Sequence, residues 1–226
     1  MYPIWRWLSS LDGEKEELRL AKLRNRVLPL LAAGLLVLLA LWVLWAPAEA
    51  RLGNLIKLVY VHGALVWVGL LTFSLAGGLG LAALLVRRPV WYRGTRAAGV
   101  AALILWILYA LSAMIVTGLT WGQVIAWNEP RVQASGLILL AAVVLAIVAR
   151  LVDQPDFTAG VNLLMGIVPW IVTRQAEVIR HPVNPIGESG SAAIQVFFLL
   201  IVLTVAALGA TLVAWLWVDA EIRAKQ

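Results

Sequence analysis

The chain has 226 residues, of which 62% are hydrophobic and only 13% are charged, with a formal charge of +6 and a mean hydropathy of +0.91. That much apolar surface cannot be buried inside a soluble domain of this length, so the composition excludes a soluble protein and indicates an integral membrane protein. Cysteine is absent, which excludes disulfides, thiolate metal sites and cysteine nucleophiles. The two histidines are then the only good nitrogen ligands for a metal.

Residues 1–26 precede the first apolar stretch and end in a basic cluster. Acidic residues come first and basic residues last, an order that suits a short helix on the membrane surface with Asp12 as a candidate N-cap. The simpler alternative, which we favour, is a cytoplasmic anchoring tail with no further role. The apolar run that follows exceeds the usual 7–15 residues or so of a cleaved leader. We therefore expect it to be retained as a membrane anchor.

Six apolar stretches are long enough to cross a membrane, which requires about 20 residues. They cover residues 27–46, 55–86, 97–119, 134–152, 158–173 and 192–218. The fifth is the shortest and contains Pro169, which makes its ends the hardest to place. The predicted fold is an all-α integral membrane protein with six transmembrane helices in residues 27–218.

Lysine and arginine are distributed unequally between the two sides of this arrangement. If the chain starts in the cytoplasm, the segments on that side carry 13 of these residues and the outer segments carry 5. The outer ones are Arg51, Lys57, Arg131, Arg174 and Arg180. The positive-inside rule then predicts that both termini, including a tail of residues 219–226, are cytoplasmic, with outer loops near 47–54, 120–133 and 174–191. The charge needs no nucleic-acid partner to explain it.

The second stretch is unusually long and carries the first histidine. As one helix, residues 55–86 would be about 48 Å long, against a hydrocarbon core of about 30 Å. With residue 86 at the inner surface, His62 lies beyond the outer edge of that core. Tyr60 and Trp67 are seven residues apart and share a helix face, so aromatic rings lie beside the imidazole. The simplest alternative is an interfacial aromatic belt with a solvated histidine.

Small residues further along the same stretch allow close packing against a neighbouring helix. They are Ser74, Gly78 and Gly80.

Two other outer segments complete the pattern. The third loop contains Trp121 and Trp127, and the fifth loop contains His181. Tryptophan in a short loop is commonly an interface anchor, which is the simpler interpretation of the third loop.

Three patches together are similar to the haem-handling membrane proteins of cytochrome c maturation, the CcmC/CcsA superfamily, and most similar to its CcmC branch. The patches are Tyr60-Val61-His62 followed by Trp67, Thr117-Gly118 leading to Trp121-Gly122, and the histidine just outside the fifth span. The resemblance also covers the six-span plan and the length of nearly the whole chain.

This resemblance implies a haem site on the outer face. His62 and His181 would be the axial ligands of the iron, and Trp121 and Trp127, with Trp67, would form the platform under the porphyrin. The family's tryptophan-rich WWD segment is reduced here to Trp121-Gly122-Gln123-Val124-Ile125-Ala126-Trp127-Asn128, with Asn128 in place of the family's Asp. Outer arginines could hold the propionates. They are Arg51, Arg131 and Arg180.

The function implied is haem binding and delivery at the outer face of a bacterial-type inner membrane. The acceptor would be a haem chaperone or an apocytochrome, with other maturation subunits as membrane partners. The chain would be a carrier and not an enzyme. One alternative is a structural or assembly subunit that keeps the fold without haem transfer. A small-molecule transporter is disfavoured, because it would be expected to place ionisable groups near mid-membrane, where the spans contain essentially none; the strong polar residues noted in the spans are Asn162 and Gln195.

Overall fold

A computed structural model describes residues 13, 15–180 and 186–226. Six helices in it are long and apolar enough to cross a membrane, which confirms the predicted all-α architecture. They are α1 (Lys15–Trp45), α2 (Ile56–Val86), α3 (Pro89–Trp121), α4 (Pro130–Val152), α5 (Pro155–Gln175) and α6 (Ala192–Arg223). Within the described ranges β pairing is confined to one isolated bridge, between Glu49 and Gly53.

Most of the helices extend beyond the apolar stretches that predict them. Helix α3 begins at Pro89, although the apolar stretch begins at residue 97, and α6 continues to Arg223. Proline occupies the first turn of α3, α4 and α5, where its missing N–H costs nothing. Hydropathy alone misses these ends because the terminal turns are polar.

Helix α1 includes part of the segment for which a short surface helix is predicted, and it does not end before the first apolar stretch. From Lys15 onward it runs continuously into the first span through a π-helical turn, Leu23–Val27. Asp12, the predicted N-cap, lies outside the described residues.

Helix α2 lies at the centre of the bundle and packs against α3, α5 and α6. Half of its most apolar stretch is buried, compared with 6% for α1, which packs mainly on α6. Backbones meet where α2 crosses α5: a Cβ atom built on Gly77 would lie 2.9 Å from the Cα of Gly166. The contact therefore uses Gly77, together with Gly80, and not the predicted Gly78, which has no atom within 4 Å of such a Cβ.

The bundle has two different ends. The connections 46–55 and 122–129 lie at one end, here called the loop end, with residues 176–180 and 186–191, the described parts of the connection between α5 and α6. The two-residue turns 87–88 and 153–154 lie at the other, here called the terminal end, with the start of α1 and the end of α6. Ion pairs join helices there: Arg24 to Asp219 at 2.7 Å, Arg93 to Glu221 at 2.7 Å and Lys225 to Glu16 at 3.0 Å. This arrangement agrees with the predicted alternation of loops, while the cytoplasmic assignment of the terminal end stays a prediction.

Candidate ligand site at the loop end

His62 lies in the second turn of α2, on the side that faces α3, and is half-buried. Its Nδ1 is 3.1 Å from the Oγ of Ser112, and its ring centroid is 5.0 Å from that of Tyr109. Counted from Val86 at about 1.5 Å per residue, His62 is about 36 Å along α2, beyond a hydrocarbon core of about 30 Å. The helix is therefore long enough to bring this imidazole to the membrane surface.

The Ser112 hydroxyl determines which imidazole nitrogen carries the proton. This hydroxyl has one hydrogen, which it donates to the carbonyl of Tyr109 at 2.7 Å. Its contact with His62 must then run the other way, with Nδ1–H as the donor. In the neutral ring, Nε2 is left as the nitrogen with the lone pair, which is the arrangement typical of metal-binding histidines.

A chain of polar contacts continues from Tyr109 to α4. The Ser135 hydroxyl donates to the carbonyl of Arg131 at 2.7 Å, so the Tyr109 hydroxyl, 2.7 Å away, donates to Ser135. The indole of Trp106 donates to the Ser135 carbonyl at 3.2 Å. These bonds fix the position of the aromatic ring against which His62 lies.

Arg131 brings an unsatisfied donor to the same end of α4. Its Nε is buried and has no hydrogen-bond partner among the described residues. Buried polar groups are nearly always hydrogen-bonded, so this donor suits an acceptor outside the described residues. An anionic ligand group would satisfy it.

Glu129 connects the third loop to the fifth. Only 1% of this residue is exposed, and its two carboxylate oxygens accept the backbone N–H groups of Ile179 and Arg180, each at 3.1 Å. Charge-assisted bonds of this kind contribute about 1.5–3 kcal/mol each. These two hydrogen bonds, here called the Glu129 tether, hold Ile179 and Arg180 against the third loop, directly before position 181.

A second contact joins the same two loops. The guanidinium carbon of Arg180 lies 5.4 Å from the centre of the Trp121 ring, in a cation–π arrangement. Gly122, with φ of 69°, ends α3 directly after Trp121. Trp127 is 65% exposed, so its ring is available at the surface of the loop.

The structure brings some of the predicted residues together and separates others. Trp67 is about 140° around α2 from His62, and its ring packs against Trp170 of α5, 6.1 Å away. Trp121 lies about 13 Å beyond Ser112 along α3, so this tryptophan is further toward the loop end than the imidazole. His181 lies outside the described residues.

Arg51 is exposed in the first loop, beside Glu49. The N–H groups of Leu52 and Arg51 donate to the Glu49 carboxylate at 2.8 and 2.9 Å. These bonds hold the pKa of Glu49 below its ordinary value. The contact of Arg51 is thus with its own loop.

Sequence reasoning missed the residues that hold the site together. They are Tyr109, Ser112, Ser135 and Glu129. Ser112 follows Tyr109 by three residues on a helix, a spacing that places both near one face, and this could have indicated a partner for an imidazole. The indication for Glu129 in the sequence is weaker, namely that an acidic residue directly precedes the proline at which a helix begins.

The chain matches no model of a known protein family, and it matches no curated protein. The resemblance to the CcmC/CcsA superfamily therefore stays a prediction from the sequence, and function has to be argued from the site itself.

Proposed function

We propose that the chain is a haem carrier that binds haem at the loop end and passes it to an acceptor protein during cytochrome c maturation. His62 and His181 supply the two axial ligands of the iron. The loop end faces outward from a bacterial-type inner membrane, and both termini are cytoplasmic. The chain makes no covalent bond to its cargo.

The observation that carries this proposal is the state of His62. The Ser112 hydroxyl donates its one hydrogen to Tyr109 and therefore accepts from Nδ1–H of His62. In the neutral imidazole the lone pair is then on Nε2, which is the nitrogen that an iron ligand uses. Tyr109 supplies an aromatic face beside the ring. A solvated histidine in an interfacial aromatic belt would need neither the hydrogen bond to Ser112 nor the contact with Tyr109.

The Glu129 tether supports the second ligand. It places residues 179 and 180 on the third loop, so the histidine that follows them starts from that loop. Because residues 176–180, which lead to this ligand, are non-helical, its release would need movement of a loop alone, which suits a carrier that hands its cargo on.

Arginine and tryptophan have complementary roles in the proposal. The buried Nε of Arg131 suits a propionate, and Arg180 could move from the Trp121 face to a second carboxylate. Trp121 and Trp127 cover part of the porphyrin. Arg51 and Trp67 contribute less, because their contacts in the structure are with Glu49 and Trp170.

The partner implied is a haem chaperone or an apocytochrome on the outer side. Other membrane subunits of the maturation system would lie beside the bundle. The acceptor must offer a stronger ligand set than the loop end for transfer to proceed.

An absorbance spectrum of the purified protein loaded with haem tests the proposal. We expect a six-coordinate low-spin spectrum, and His62→Ala or His181→Ala should convert it to a five-coordinate or empty form. Added imidazole should restore the low-spin spectrum of the single variants, because a small ligand can replace a missing axial bond. Rescue separates loss of a ligand from loss of the fold.

Ser112 provides a positioning test within the same series. Ser112→Ala should weaken haem binding about tenfold or more, the usual effect of losing the partner that orients a ligating histidine. Ser112→Thr keeps the hydroxyl and should bind as the parent does.

Equal haem binding in the parent and in a variant lacking both histidines would show that the ligand assignment is wrong. A parent that binds no haem would favour the structural-subunit alternative.

A further inference from the structure

A cavity of about 320 Å³ lies between α3, α4 and α5, on the side of the bundle toward the terminal end. Its body is apolar, with Val100 and Leu103 from α3 and Ala146 from α4. Two arginines line it as well, Arg96 from α3 and Arg150 from α4. The cavity is therefore amphiphilic, with a cationic part and an apolar part.

The two arginines differ from three others at the terminal end that form ion pairs. Arg24, Arg93 and Arg223 are all paired with carboxylates. Arg96 and Arg150 are exposed, and neither is paired with a carboxylate within the described ranges.

Among the described residues, no acidic side chain lines this cavity. The acid at the start of α5, Asp156, accepts a hydrogen bond from Tyr92. The cationic part of the cavity is thus available to an anionic ligand.

The lining residues are ordered along the helices as the parts of a lipid are, with the charged residues near the helix ends and the apolar residues deeper. Arg150 is about 3 Å from the end of α4 and Arg96 about 10 Å from the start of α3, which is the region of lipid head groups. Leu103 is about 21 Å from the start of α3, at the depth of acyl chains. Charge and apolar surface are ordered along the membrane normal as they are in a phospholipid.

We propose that this cavity binds an anionic phospholipid from the leaflet at the terminal end. The phosphate lies between Arg96 and Arg150, and one acyl chain lies along Val100, Leu103 and Ala146. Basic pockets between membrane helices recognise anionic head groups in this way. The site is separate from the loop end and does not depend on haem.

Native mass spectrometry of the purified full chain in neutral detergent tests this inference. Phosphatidylglycerol should be retained in preference to phosphatidylcholine. Changing both arginines, Arg96→Gln with Arg150→Gln, should weaken phosphatidylglycerol binding by about 30-fold, since each basic residue near a membrane surface contributes about 1 kcal/mol.

Matched variants make the test specific. Arg19→Gln with Arg88→Gln removes the same charge from exposed positions outside the cavity and should leave binding unchanged. Changing both cavity arginines to lysine keeps the charge and should keep binding. Ala146→Phe fills the apolar part and should weaken lipid binding without a change of charge.

Three results would overturn the inference. One is equal retention of the two lipids by the parent. Another is equal loss of phosphatidylglycerol in both glutamine pairs. The third is binding that inorganic phosphate abolishes and that Ala146→Phe leaves unchanged, which would identify an ion site without an acyl chain. Circular dichroism of each variant verifies that the helices are intact.

Discussion

At the scale of single residues, two serines control the direction of the hydrogen bonds at the loop end. Each donates its proton to a carbonyl of its own helix, Ser112 to Tyr109 and Ser135 to Arg131. Each hydroxyl oxygen is thus left as an acceptor, for His62 and for Tyr109. The imidazole is held in one tautomer as a result.

Glu129 allows a prediction at the same scale. Glu129→Ala removes both acceptors of the Ile179 and Arg180 N–H groups, so hydrogen exchange in residues 176–180 should accelerate about tenfold or more, since each such bond contributes about 1.5–3 kcal/mol. Glu129→Gln keeps one acceptor oxygen and should have an intermediate effect. Hydrogen-exchange mass spectrometry measures both.

Glu177→Gln is the matched control, because this acid is exposed in the same loop. It should leave the exchange rate unchanged. Equal acceleration by Glu177→Gln and Glu129→Ala would mean that charge in the loop, and not the Glu129 tether, determines its order.

At the scale of helices, hydropathy predicts where the chain crosses the membrane but not which side of a helix meets its neighbour. Gly77 and Gly78 are adjacent and chemically identical, and only the rotation of α2 about its axis places Gly77 against Gly166. For the same reason the sequence predicts Ser74 only as a small packing residue and does not predict its hydrogen bond. In the structure Ser74 accepts a hydrogen bond from Trp170 at 2.7 Å. Glu129 was missed because its partners are 50 and 51 residues further along the chain.

The contact between α2 and α5 leads to a prediction with a neighbouring control. Gly77→Ala places a methyl group 2.9 Å from the backbone of Gly166, so the helices must separate, and we expect a loss of about 1–3 kcal/mol in stability. Gly78→Ala meets no atom within 4 Å and should be neutral or stabilising by up to about 1 kcal/mol. Thermal unfolding in detergent gives both values. A lower melting temperature for Gly78→Ala than for Gly77→Ala would contradict the packing described.

At the scale of the whole molecule, the two ends are held together by different kinds of interaction. The terminal end uses ion pairs, among them Arg24 with the buried Asp219, which attaches the otherwise peripheral α1 to α6. The loop end uses a buried carboxylate on backbone N–H groups and a cation–π contact. Salt should therefore loosen the terminal end more than the loop end.

The orientation of these ends in the membrane can be measured directly, since the chain has no cysteine. Single cysteines at Arg51 and Asn128, both exposed at the loop end, should react with a membrane-impermeant maleimide added to intact cells. A cysteine at Arg88, in the turn between α2 and α3, should react only after the membrane is opened. Labelling of Arg88→Cys alone would place the loop end in the cytoplasm and remove the proposed outward-facing site.

The Glu129 tether joins parts of the chain that a ribosome makes at different times. When the third loop has just been synthesised, the N–H groups that will donate to the Glu129 carboxylate do not yet exist. They belong to residues 50 and 51 positions further along the chain. Glu129 must then remain hydrated at the membrane surface until α5 has been inserted and the segment after it has emerged alongside, because an unpaired carboxylate is costly to bury. Burial of this group is therefore a late step in biogenesis, and the loop end is assembled only in a chain whose fifth helix is already in place.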